Sequence, residues 1–95
     1  QGYLPAKEME RAKMLRDLES ESRKRRQTQI FIETPYRNRQ LFDGILQACQ
    51  PGTRLTVATD LSLPGESVLT RTIQQWKKRT PPEIERRPTV FLLLA

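Results

Sequence analysis

The sequence predicts an α/β fold, a three-layer sandwich in which a mostly parallel sheet lies between helices on both faces. Three observations carry this. Short apolar runs at 30–32, 55–58 and 89–94 read as strands, segments of helical period lie between them, and Pro35, Pro51-Gly52 and Pro81-Pro82 punctuate the series. The order is one helix followed by βαβαβ, and right-handed crossovers between parallel strands are the default for such a string.

From Lys7 to Arg25 there is no Gly or Pro, and Arg11, Met14, Leu15 and Leu18 fall on one stripe. This predicts a long, mostly exposed helix, with Glu19–Arg23 and Glu21–Arg25 paired at i,i+4. Thr28 to Glu33 reads as a strand buried on both faces, because Ile30, Phe31 and Ile32 are continuous. Leu41, Phe42, Ile45, Leu46 and Cys49 repeat at helical period between Tyr36 and Gln50, and Cys49 belongs with the packing residues. A second strand spans Leu55 to Ala58, and Leu61 to Ser67 reads as a loop. Val68, Leu69, Ile73 and Trp76 make the stripe of a third helix, with Trp76 a core anchor. The run from Thr89 to Leu94 reads as a central strand.

Composition removes several functional classes. Among 95 residues there is no His and one Cys, so disulfide frameworks, His/Cys zinc sites and His-dependent catalytic pairs are excluded. No apolar run approaches the roughly 20 residues of a membrane span. A soluble, cytoplasmic protein is expected. The apolar fraction is low, and the chain opens on Gln1-Gly2-Tyr3-Leu4-Pro5 without an initiator methionine, so it reads as one domain of a longer protein. The net charge of +6 is spread evenly, with +3 in residues 1–26 and +3 in the rest. The clusters Arg23–Arg26 and Lys77–Arg79 sit where helices should end, where cations oppose the negative pole of the helix dipole. They read as caps first and as phosphate contacts second.

In open α/β sheets ligands gather beyond the carboxyl ends of strands. Two such ends carry polar residues here, Glu33-Thr34-Pro35-Tyr36-Arg37 and Thr59-Asp60-Leu61-Ser62. Glu33 and Asp60 facing one crevice could take a proton or hold a ribose hydroxyl. The same residues read equally as an ion pair, Glu33 with Arg37 or Asp60 with Arg37. Neither glycine-rich phosphate fingerprint is present, so a nucleotide would need a second domain.

The segments Gly2-Tyr3-Leu4-Pro5, with Lys7 and Arg11, and Ile30-Phe31-Ile32 leading into Glu33-Thr34-Pro35-Tyr36-Arg37 resemble the G-F-L-P and E-S-P-H-R segments of the small-subunit ribosomal RNA cytidine 2′-O-methyltransferases. These belong to the tetrapyrrole methylase superfamily, the class III S-adenosylmethionine-dependent methyltransferases. The resemblance covers nearly the whole chain but only the second of the family's two α/β domains. It implies a missing amino-terminal domain that carries the cofactor loop, a cofactor in the cleft between domains, and a homodimer of the full-length protein. Position by position, Glu33, Thr34 and Pro35 fall on the first cleft-facing loop, followed by Tyr36 and Arg37. Ala58, Thr59 and Asp60 match the second loop, which reads R-E-L-T-K with a later Glu in the family. Here Leu63 stands for the Lys, Tyr36 for the His of E-S-P-H-R, Glu66 for the later Glu, and Arg87-Pro88 for the family's terminal G-E.

The resemblance therefore implies methyl transfer from S-adenosylmethionine. Glu33 and Asp60 are the catalytic candidates, Thr34, Pro35, Ala58 and Thr59 would contact the cofactor, and Tyr36 and Arg37 the substrate. Ribosomal RNA is the implied substrate and rRNA processing the implied role. A tetrapyrrole or other small-molecule substrate is the alternative on the same fold. A non-catalytic nucleic-acid-binding module is the alternative in another class; the chain lacks the interleaved strand aromatics that such a module uses for stacking.

Overall fold

The structure, a computed structural model, describes residues 8–32 and 37–95. The elements are α1 (Glu8–Arg25), β1 (Gln29–Ile32), α2 (Asn38–Ala48), β2 (Arg54–Thr59), β3 (Ser67–Thr72), α3 (Ile73–Lys77) and β4 (Thr89–Leu94). Small α/β architecture is what the sequence predicts, and β1, α2, β2 and β4 fall where expected. The sheet does not follow the expectation. Its four strands run in the order β1-β4-β2-β3, and every neighbouring pair is antiparallel.

The difference originates at residues 67–72. Val68, Leu69, Ile73 and Trp76 match a helical stripe, but Ser67-Val68-Leu69-Thr70-Arg71-Thr72 also alternates and is rich in β-branched residues, which suit a pleated strand. Hydrogen bonding along all of β2 decides for the strand. The chain therefore turns back in a hairpin instead of crossing over through a helix, and a parallel neighbour to β2 needs such a crossover. What remains of the helix is the short α3. Its first turn is closed by a capping box of Thr72 and Gln75, and it is docked through Ile73 N to Thr53 O and Gln74 N to Pro51 O.

All three helices lie on one face. The register aligns Phe31, Phe91 and Val57 in one row and Leu93 and Leu55 in the next. These side chains form one buried cluster with Leu15, Leu18, Leu41, Phe42, Ile45, Ile73, Trp76 and Ile84. Trp76 is the anchor that the sequence predicts: it meets Phe42 edge-on at 5.5 Å, and its Nε1 donates to Leu55 O at 2.9 Å. The other face carries Ile30, Leu92, Thr56 and Thr70 in one row and Ile32, Val90, Ala58 and Val68 in the next. No described helix covers it. The fold is thus two-layered, and β1 is an edge strand with Ile30 52% exposed, not a strand buried on both faces.

Helix α1 is less exposed than its composition suggests. Its buried stripe is Arg11, Leu15, Leu18, Glu19 and Ser22, whereas Met14 faces solvent. Glu19 does not pair with Arg23. Its carboxylate points inward, where it accepts from Gln50 N at 2.7 Å and from the Thr53 hydroxyl. The Glu21–Arg25 pair does form, at 2.8 Å. Arg23, Lys24 and Arg25 occupy the last turn, Arg26 adopts a left-handed φ of 53°, and Gln27 N donates to Ser22 O. This closure is the Schellman pattern with the cations at the dipole's negative end.

Candidate functional site

Because β1 and β2 both run antiparallel to β4, they are parallel to each other with β4 between them. Their carboxyl ends consequently leave the same edge of the sheet, as the sequence reading requires, although the strands are not neighbours. At this edge the covered face ends in a row of hydroxyls, Thr89, Thr59 and Ser67. Two described segments meet there: the hairpin between β2 and β3 and the segment leading into β4.

Asp60 begins the hairpin with a left-handed φ of 53°, a conformation that Asp tolerates better than most residues. Its amide donates to Pro88 O at 2.9 Å. Its Oδ2 takes two contacts from Arg87, Nε at 2.8 Å and Nη2 at 2.6 Å. The same guanidinium donates through Nη1 to Glu83 O and through Nη2 to Gly65 O. A Cβ on Gly65 would lie 3.0 Å from both Arg87 Nη2 and Asp60 Oδ2, so the glycine leaves the room in which the pair forms. Arg87, not Arg37, is the ion-pair partner. Within the hairpin, Glu66 accepts from Ser62 N at 2.8 Å and fixes the turn.

Asn38, in the first turn of α2, ties the segment before β4 to the helices. Its Nδ2 lies within hydrogen-bond distance of Ile84 O at 2.8 Å, Arg87 O at 2.7 Å and Thr89 Oγ1 at 3.1 Å, three acceptors for two N–H groups. Its Oδ1 is buried without a hydrogen-bond partner. A cavity of about 380 Å³, lined by Arg39, Pro81–Glu85 and Arg87, opens beside this network.

Of the residues that the sequence singles out, Ala58, Thr59 and Asp60 stand at this edge. Arg37 is half-buried at the N-cap of α2 without a side-chain cap bond. Glu33, Thr34, Pro35 and Tyr36 lie outside the described residues. Sequence reading missed Asn38, Thr89 and the role of Arg87. The available signal was position, since Arg87 and Thr89 flank the start of the strand that sits between the two candidate ends. Cys49 stays a packing residue: burial, with the Glu19 carboxylate adding to it, pushes its thiol up to about 12, far from the range of a reactive thiolate. Among the described residues no cluster of carboxylates and thiols could hold a metal ion, and no helix is long and apolar enough to cross a membrane.

The fold has a counterpart among solved structures. The chain superposes on the crystal structure of the methyltransferase CobJ with a TM-score of 0.55 and 16% sequence identity, over 99% of its own length and 40% of that chain. The chain shares its fold with part of a methyltransferase. No protein-family model and no curated protein matches it. The chain thus spans less than half of the structure it resembles.

Proposed function

We propose that the chain is the carboxy-terminal domain of an S-adenosylmethionine-dependent methyltransferase that transfers methyl to a ribose 2′-oxygen of RNA. One observation supports this above the others. The two strands that lead into the loops marked by the resemblance as cleft-facing end on one side of the sheet, in a fold that matches part of a methyltransferase across 99% of the chain.

The residues present fit part of a cofactor site. Ala58 is small, Thr59 and Thr89 line the edge with hydroxyls, and Asn38 keeps a buried acceptor without a partner. In this reading Thr34, Pro35, Ala58 and Thr59 contact the cofactor, and a first domain in the same protein supplies the rest of the cleft. The cofactor brings a methyl group already activated on a sulfonium, so the domain's own work is positioning and exclusion of water. Both Arg87 contacts fall on Asp60 Oδ2, which holds the carboxylate in place and leaves Oδ1 to orient a ribose hydroxyl. Glu33 is then the candidate to take the hydroxyl proton, and Tyr36 and Arg37 to position the nucleotide. The net charge of +6 suits a polyanionic substrate. The complete enzyme is proposed as a cytoplasmic homodimer engaged in rRNA processing.

One observation favours a second reading, a tetrapyrrole or other small-molecule substrate. Leu61 and Leu63 stand 48% and 51% exposed on the hairpin beside Asp60, and Leu63 occupies the position of a Lys in the RNA enzymes. Transfer of radiolabelled methyl from S-adenosylmethionine by the full-length protein, offered rRNA and a tetrapyrrole in parallel, separates the two. Label in RNA that is lost with Asp60→Ala is the expected result. Label only in the tetrapyrrole selects the second reading, and label in neither overturns the methyltransferase assignment.

A further inference from the structure

We propose that the groove between α1 and α2 is a binding site for an oxyanion of the phosphate class, held by Arg11 and Arg16. It is a cavity of about 210 Å³ lined by Arg11, Ala12, Arg16, Gly44, Gln47 and Ala48. Two guanidinium groups and one amide supply its polar chemistry, and among the described residues no carboxylate lines it.

Arg11 carries the inference. It is 7% exposed, yet among the described residues its guanidinium has no hydrogen-bond or ion-pair partner. A guanidinium presents five N–H donors and stays protonated, so it cannot escape burial by losing its charge. Its nitrogens are not sealed in the core, since Asn38 Oδ1 is the one fully buried polar side-chain atom without a hydrogen-bond partner among the described residues; the guanidinium instead turns its donors onto the groove, where no described acceptor meets them. The same helix shows partnered polar groups twice. Buried Glu19 is satisfied by Gln50 N and Thr53 Oγ1, and buried Ser22 Oγ accepts from Ala95 N. Arg11 is the exception on that stripe, and it is the one that lines a cavity.

The groove is also shaped for the group. A Cβ on Gly44 would stand 3.2 Å from Arg11 Nε and 3.6 Å from its Nη2. Glycine inside a helix costs about 1 kcal/mol relative to alanine, and here it gives the guanidinium its passage across α2. The planar fork of Arg11, with Arg16 beside it, matches the tetrahedral oxygens of phosphate. The cavity of about 210 Å³ falls below the roughly 300 Å³ at which pockets for drug-sized ligands begin. It suits one phosphate group, either free or as a single phosphodiester of a longer chain. This site lies on the helical layer, away from the sheet edge, and does not depend on the methyl-transfer reading.

The test is titration of inorganic phosphate into the chain at constant ionic strength, with the Arg Nε–Hε resonances observed by NMR. A saturable shift of the Arg11 signal is expected. Arg11→Met should weaken binding about tenfold or more, the usual scale for losing hydrogen bonds to a charged group. It should also leave the unfolding midpoint in phosphate-free buffer unchanged or raised, because a cation without a partner has been removed; a purely structural arginine would lower it. Arg16→Gln, at an exposed position, should weaken binding severalfold with the midpoint unchanged, and it decides the matter if Arg11→Met does not fold. No saturable response at Arg11, or binding indifferent to both substitutions, overturns the proposal. Displacement of phosphate by a short RNA would identify a phosphodiester as the source, and failure to displace it would identify the free ion; either result requires the site.

Discussion

Phe91 and Leu92 are adjacent on the central strand and live in different environments. Phe91 is fully buried and stacks near Phe31, with ring centroids 6.1 Å apart, under three helices. Leu92 points to the opposite face, among Ile30, Thr56 and Thr70, where no described helix lies. One face of the sheet carries the core, and the other is a largely apolar surface that no described helix covers. The lesson is that the stability of this domain and the reach of its surface are separable. The helices and the sheet edge can be tested without disturbing the bare face, and the reverse also holds.

The largest expected effect breaks the covered face. Phe91→Ala should cost about 3–5 kcal/mol in urea unfolding, the range for truncating a buried aromatic, whereas Leu92→Ala should cost at most about 1.5 kcal/mol because its side chain is already partly in water. Equal losses would mean that something covers the bare face. Asn38→Ala comes next. It removes the two N–H groups that three acceptors share where the approach to β4 is held against α2, and leaving those acceptors without them should cost about 2–3 kcal/mol.

A third test uses pH. The Cys49 thiol is raised from 9.0 to about 12 in the folded protein, so between those values the folded state holds a proton that the unfolded chain has lost. Its contribution is fully present below the unfolded value and falls as pH rises through the window, by on the order of 1.4 kcal/mol per unit. Cys49→Ala should flatten the alkaline decline of stability relative to the parent chain; identical slopes would contradict the burial described. The smallest effect belongs to the sheet edge. Arg87→Gln breaks a partly exposed ion pair and should cost about 1 kcal/mol or less, while hydrogen exchange speeds up in residues 60–66. Unchanged exchange there would show that the pair does not fix the hairpin.

The covered face was the legible part of the sequence. Leu41, Phe42, Ile45, Ile73 and Trp76 announce themselves by helical spacing, Phe91 and Leu93 by lying in an apolar run, and all are buried. The bare face was not legible, because Ile30-Phe31-Ile32 and Val90–Leu94 are apolar at every position. Continuous runs of that kind read as strands covered on both sides. The antiparallel topology was hidden for a related reason: Val68, Leu69, Ile73 and Trp76 satisfy a helical period, while the strand pairing that overrides it lies in β2, with partners such as Thr59 and Ser67 or Arg54 and Thr72 well separated in sequence. At the site, β1 and β2 end on the same side of the sheet despite the change of topology, with β4 between them. The Asp60–Arg87 pair and the Asn38 network were not legible, since they join residues 27 and 46 or more positions apart. The inward turn of Glu19 was equally invisible, because its partners Gln50 and Thr53 are distant in sequence and Arg23 offered a local alternative.

The central claim is that this domain forms one wall of a cofactor cleft. Calorimetric titration of S-adenosylmethionine and S-adenosylhomocysteine into the full-length protein, alongside the 95-residue chain, tests it most directly. Saturable binding by the full-length protein with weak or no binding by the chain alone is the result expected. No binding by the full-length protein would contradict the methyltransferase account and leave a nucleic-acid-binding module as the reading to pursue.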